Sequence, residues 1–117
     1  MKLLIVTYGD PHDGGDVVWN ALRVAAFQRD LGDEVNVFLM SDAVTLAHED
    51  TPQPKGLAYD AAAEFEAALK AGATFKTCGT CLKNRGLPFE RVHPRAPAAT
   101  LKDLADWLRW ADKVISF

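Results

Sequence analysis

The run Leu3-Leu4-Ile5-Val6 is apolar at every position, and Gly9-Asp10-Pro11 halts the chain soon after it. A strand with one wet face alternates apolar and polar residues. A strand without alternation is buried on both faces, as in parallel sheets covered by helices on either side. The rest of the chain fits that demand. Gly14-Gly15-Asp16 opens a helix in which Val18, Leu22, Ala25 and Ala26 recur at helical spacing, with Arg23, Arg29 and Asp30 on the wet side and Gly32 as its stop. Asp16 or Asp13 is the expected cap. Val35, Val37 and Leu39, with Phe38, form a second β-rich run, and Ser41 or Asp42 is placed to cap a short helix through Ala47.

The stretch from His48 to Gly56, with Pro52 and Pro54, reads as an exposed loop. Tyr59 to Ala71 is alanine-rich with Phe65 and Leu69 four apart, a helix that Gly72 ends. Ala73 to Thr77 is a short strand, and a short helix is expected from about Thr80 to Arg85, before Gly86. Phe89 to Val92 reads as another short strand in a region broken by Pro88, Pro94 and Pro97. Thr100 caps a last helix with an apolar stripe of Leu101, Leu104, Ala105 and Leu108, and Val114 to Phe117 is the closing strand. Strands alternating with helices in this way predict a three-layer α/β/α domain over residues 1–117, with a mostly parallel sheet of about five strands.

At 117 residues the chain suits one domain, and its 49% apolar and 25% charged content is that of an ordinary globular protein. No apolar run approaches the roughly 20 residues of a membrane helix. The opening segment is too short for a signal peptide and lacks a cleavage site, so a cytoplasmic protein with no membrane partner is expected. The net charge of −3 argues against nucleic acid as a partner. That average hides an asymmetry. Between Phe75 and Arg95 stand Lys76, Lys83, Arg85, Arg91 and Arg95 against Glu90 alone. The basic segment fits a solvated surface, and it equally fits support for a thiolate or an anionic partner.

That segment contains both cysteines of the chain, in Cys78-Gly79-Thr80-Cys81. A C-x-x-C pair can hold a metal, cycle through a disulfide, or set a reactive thiol beside a second one; two buried, inert cysteines are the plain alternative. One pair gives two of the four ligands of a structural zinc, and His12, His48 and His93 lack ligand spacing, so no metal is expected within one chain; a site shared between subunits stays open. No cofactor is expected either. At the C-terminal end of a strand, Cys78 would meet the free N–H groups of the following turn. With Lys76, Lys83 and Arg85 near in sequence, and Gly79 and Thr80 in the turn, its pKa is expected to fall and its thiolate to be populated. Cys81, one turn on, is placed to attack an oxidised or sulfur-bearing Cys78.

At this point the sequence resembles the DsrE/DsrF-like family of TusD/YchN-like small sulfur-relay proteins. The resemblance runs nearly end to end: the opening strand, Asn20-Ala21-Leu22-Arg23-Val24-Ala25, Gly32 to Leu39, Ser41-Asp42-Ala43-Val44, Cys78 to Gly86, and Asp112 to Phe117. The segment around the cysteines is its most specific part. The resemblance implies an open parallel sheet and oligomers, often trimers or hexamers. It also implies that the persulfide-accepting cysteine stands eight residues before a glycine. Counting back from Gly86, that residue is Cys78.

Other constellations carry less. The segment Gly9 to Asp16 lies where an α/β fold cradles phosphate, yet it lacks the G-x-G-x-x-G and P-loop spacings, and Asp10, Asp13 and Asp16 would repel an anion. His12 would line the cysteine site as an acid or base if this loop folds beside it, and His93 would help hold an anion; both equally fit a surface histidine. Trp19, Trp107 and Trp110 fit core packing or a subunit interface. Three functions follow. The first is a persulfide carrier or sulfurtransferase-type relay subunit, with Cys78 as nucleophile, Cys81 as resolving thiol, and protein partners bearing reactive cysteines. The second is a thiol–disulfide oxidoreductase or redox-sensing module, disfavoured as a thioredoxin type because the motif follows the third strand and no aromatic residue stands immediately before Cys78. The third is a non-catalytic oligomeric interaction protein.

Overall fold

The computed structural model describes residues 1–117. In chain order the elements are β1 (Lys2–Thr7), α1 (Val17–Asp30), β2 (Glu34–Leu39), a 3-10 segment (Ser41–Ala47), α2 (Ala61–Ala71), β3 (Thr74–Cys78), α3 (Gly79–Asn84), a 3-10 turn (Phe89–Arg91), β4 (Ala98–Ala99), α4 (Leu101–Trp110) and β5 (Lys113–Ser116). The strands form one sheet in the order β4-β3-β2-β1-β5, and every neighbouring pair is parallel. The expected three-layer α/β/α fold is thus present, with all five strands parallel.

Strand alternation deals the apolar residues to two unequal cores. Leu3, Ile5, Val35, Val37, Leu39 and Phe75 face α1 and α2 in the larger. There Val18, Ala21, Leu22 and Ala25 of α1 and Ala61, Phe65, Ala68 and Leu69 of α2 cover the sheet. Leu4, Phe38 and Cys78 face the other way, against Leu82 of α3, Val44, and the half-buried Leu104 and Trp107 of α4. Continuous apolar runs in β1 and β2 supply both layers at once.

Local chemistry sets most boundaries. Asp60 caps α2 through the N–H of Ala63 at 3.0 Å, so the helix begins after it and not at Tyr59. Gly72 closes α2 with φ 102°, a left-handed value that suits glycine. Thr100 and Asp103 form a reciprocal capping box at the start of α4. Neither aspartate expected to cap α1 does so: Asp16 makes no side-chain cap, and Asp13 accepts the N–H of Gly15 in a local turn.

Three segments depart from the sequence reading. Ser41–Ala47 is 3-10 in type, and neither Ser41 nor Asp42 caps it; the cap position is Met40, with Ser41 inside the first turn. Phe89–Val92 is not a strand. Its N–H groups at Arg91 and Val92 turn back onto the carbonyls of Pro88 and Phe89, and only a single bridge joins Val92 to His48. A strand does form nearby, at Ala98–Ala99, beside Thr77 and Cys78. Two alanines carry no β signal of their own; Thr77 fixes the approach of this segment, receiving Pro97's carbonyl on its N–H at 2.9 Å and donating its hydroxyl to Ala96's carbonyl at 2.7 Å.

Candidate functional site

Cys78 ends β3 at the C-terminal edge of the sheet, where parallel α/β folds place their ligands. It shares its sheet face with Lys76, two residues before it. The residue is 3% exposed, packed with Leu4, Phe38, Val44 and Leu82. The sulfur accepts the backbone N–H of Cys81 at 3.4 Å. Both cysteines are free thiols, and Cys81 is only partly buried. The Cys81 sulfur accepts the backbone N–H of Ser41 at 3.2 Å.

The expected fall in the Cys78 pKa is not what this geometry produces. Burial among apolar side chains pushes the thiol up, and the neighbouring Cys81 thiol pushes the same way. The backbone N–H groups of Cys81 and Thr80 pull it down, but by less. The cations counted on for a thiolate are directed elsewhere. Lys76 Nζ lies 3.5 Å from Asp103 and 4.8 Å over the Trp107 ring. The Arg85 guanidinium grips Asp42 at 2.8 Å and the Cys81 carbonyl at 3.1 Å. Lys83 is exposed on the outside of α3, a helix of only six residues.

Gly79 is buried because its surroundings leave no room. A Cβ there would stand 3.1 Å from the Phe89 ring and 3.2 Å from the Ala99 carbonyl oxygen. A groove of about 470 Å³ opens beside this turn, lined among others by Thr80, Lys83, Phe89, Thr100 and Asp103. Thr80 and Lys83 line this groove beside the cysteine turn.

The two histidines are occupied elsewhere. His12 Nε2 faces the Thr51 carbonyl at 3.2 Å, in a loop that follows β1, two strands away from β3. His93 packs on Phe65 and reaches Glu66 at 3.3 Å, on the α2 side of the sheet, opposite the cysteines. His48, which had no assigned role, is fully buried: its Nε2 donates to the Pro88 carbonyl at 2.7 Å while Nδ1 accepts the N–H of Asp50. It fastens the 88–92 segment that carries Phe89 to the groove. Nowhere do three or more His, Cys, Asp or Glu side chains converge as a metal site.

Sequence reasoning missed Ser41 as a contact of the site. Its contact is made by the backbone N–H, which leaves no trace in residue type. The Arg85–Asp42 pair spans 43 positions and was equally invisible.

A sequence profile of the DsrE/DsrF-like family matches residues 1–117. The chain belongs to this family. Protein YchN of Escherichia coli K12 is 33% identical over 118 residues, which cover 99% of this chain and 98% of YchN. An uncharacterised protein of Methanocaldococcus jannaschii is 32% identical over the full length of both chains. The crystal structure of the E. coli ychN protein superposes with a TM-score of 0.84 at 34% identity, covering 100% of this chain and 99% of that one. A conserved protein from Bacteroides thetaiotaomicron shares the fold, with a TM-score of 0.73 at 22% identity.

Proposed function

We propose that this DsrE/DsrF-like chain is a sulfur carrier that holds sulfane sulfur as a persulfide on Cys78. Family membership supports a general role in sulfur relay. The observation that carries the finer reading is the paired thiol at the sheet edge, with the Cys81 N–H on the Cys78 sulfur. A thiolate of the pair attacks the outer sulfur of a donor persulfide, R–S–SH. The new S–S bond forms as the donor's S–S bond breaks, and R–S⁻ leaves with the proton that the attacking thiol gave up. No net oxidation occurs. A persulfide on Cys78 would sit in the apolar niche of Leu4, Phe38 and Leu82, away from water and stray thiols. An acceptor protein's thiolate then takes the outer sulfur. Alternatively Cys81 attacks the Cys78 sulfur, expels hydrosulfide and leaves a disulfide. The working form is proposed to be a homo-oligomer, a trimer or hexamer, whose partners bear reactive cysteines.

The test is intact-mass analysis after treatment with a persulfide donor. The wild-type chain should gain about 32 Da, mapped to Cys78 and removed by reductant. Cys78→Ser should keep no adduct after a chase with added thiol, whereas the wild-type chain should keep its own for longer. A wild-type chain that gains no sulfur, and instead reduces insulin disulfides, would make the oxidoreductase the better reading.

A further inference from the structure

We propose that Cys81, not Cys78, makes the first bond to incoming sulfur, and that Cys78 receives it from Cys81. This rests on the carrier reading above and adds an order to it.

The two thiols differ in what can reach them. Cys78 is 3% exposed and walled by Leu4, Phe38, Val44 and Leu82. A donor persulfide arrives on another molecule, with a chain behind its sulfur. Such a group cannot approach Cys78 without parting this packing, whereas a single sulfur atom handed over from the neighbouring residue can. Cys81 is partly open to solvent. The same burial that hides Cys78 keeps its thiol protonated, and a thiol attacks slowly where a thiolate attacks fast.

The surroundings of Cys81 are arranged around its sulfur. Ser41 is the one non-glycine residue with a left-handed backbone, at φ 50°, and its N–H points at the Cys81 sulfur at 3.2 Å. Sparsely populated backbone of this kind persists where neighbours enforce it. Here Arg85 does so: Nε and Nη2 hold the Asp42 carboxylate at 3.2 and 2.8 Å while Nη1 holds the Cys81 carbonyl. The Ser41–Asp42 turn and α3 are thereby tied into one unit with the Cys81 sulfur between them.

The second step balances as the first does. Cys78 gives up its proton as its sulfur attacks the outer sulfur of the Cys81 persulfide beside it. The Cys78–sulfur bond forms, the Cys81–sulfur bond breaks, and Cys81 leaves as a thiolate hydrogen-bonded by the Ser41 N–H. The proton lost from Cys78 passes to the departing Cys81 thiolate.

Rapid-quench loading with a persulfide donor, read by peptide mass mapping, tests the order. In the wild-type chain the extra sulfur should appear on Cys81 before Cys78. In Cys81→Ser, and in Cys81→Ala as a second variant, loading of Cys78 should slow by about tenfold or more. In Cys78→Ser, Cys81 should load at the wild-type rate and then surrender its sulfur to any added thiol. Cys78 loading at the wild-type rate in both Cys81 variants would overturn the order while leaving the carrier intact. A wild-type chain that takes up no sulfur would instead overturn the carrier reading on which the order depends.

Discussion

At the scale of the residue, the site turns on the surroundings of one sulfur atom. The folded chain holds the Cys78 proton more tightly than the unfolded chain does, because burial penalises the thiolate. The sign follows directly. The stability this lends is complete below the ordinary thiol range and is lost as pH rises through the raised folded value. Urea unfolding from neutral to alkaline pH should therefore show a decline that Cys78→Ala lacks. Cys78→Ser should be the less stable of the two at neutral pH, since its hydroxyl enters an apolar niche; the cost of a poorly satisfied buried hydroxyl is about 1–3 kcal/mol. Gly79 admits a sharper check. The Phe89 ring, half-exposed, has room to swing from an added methyl, but the Ala99 carbonyl is fixed in the sheet. Gly79→Ala should lose about 1–3 kcal/mol by overpacking, read from the urea midpoint. Ser41→Ala keeps the backbone N–H and should load sulfur at a rate within about twofold of wild type. A large loss there would assign the work to the hydroxyl and not the amide.

At the scale of the element, α4 shows what a local signal can and cannot say. Thr100 was legible as a cap because a threonine stands just before the apolar stripe, and the structure adds Asp103 as the reciprocal partner. Thr100→Ala should cost about 1 kcal/mol, measured by thermal or urea unfolding. The Thr100 N–H and hydroxyl, then Lys76, hold the Asp103 carboxyl below the ordinary aspartate value. That contribution is present above the unfolded pKa and fades as pH falls through the lower folded value. The parallel strands β1, β2 and β3 were legible for the same kind of reason, since each shows its burial in its own residues. β4 was not. It is two alanines held by backbone bonds to β3, and its existence depends on where Thr77 lies. The direction of the Cys78 pKa was illegible for a related reason. Lys76, Lys83 and Arg85 are near in sequence, but Leu4, Phe38 and Val44 come from other elements, and Asp103 and Asp42 draw two of the cations away. Sequence neighbours predicted a thiolate; spatial neighbours favour a thiol.

At the scale of the whole molecule, the two sides of the sheet are unequally finished. The α1–α2 side buries a core of 19 residues, whereas the other side buries five. α4, which covers the smaller core, has no fully buried residue. Its Leu101 and Leu108 stay about half exposed, as does Val114 on β5, the strand at one edge of the sheet. An edge strand beside an apolar helix face offers both unpaired backbone groups and apolar area to another chain. A second copy would cover such a face without needing any other partner, and would complete the thin layer over the cysteine core. The expectation is an assembly of three or six chains of 12.8 kDa, measurable by light scattering after size-exclusion chromatography. Leu108→Glu places a charge on the helix outside the monomer's own core, so it should lower the mass toward one chain while leaving the circular dichroism spectrum unchanged. A wild-type chain that elutes as a monomer at high micromolar concentration would show that this face is closed by something other than itself. If assembly holds, Leu108→Glu should also shorten the life of the loaded persulfide. The smaller core that encloses Cys78 would then lose its outer cover, and the persulfide on Cys78 should become accessible to added thiol.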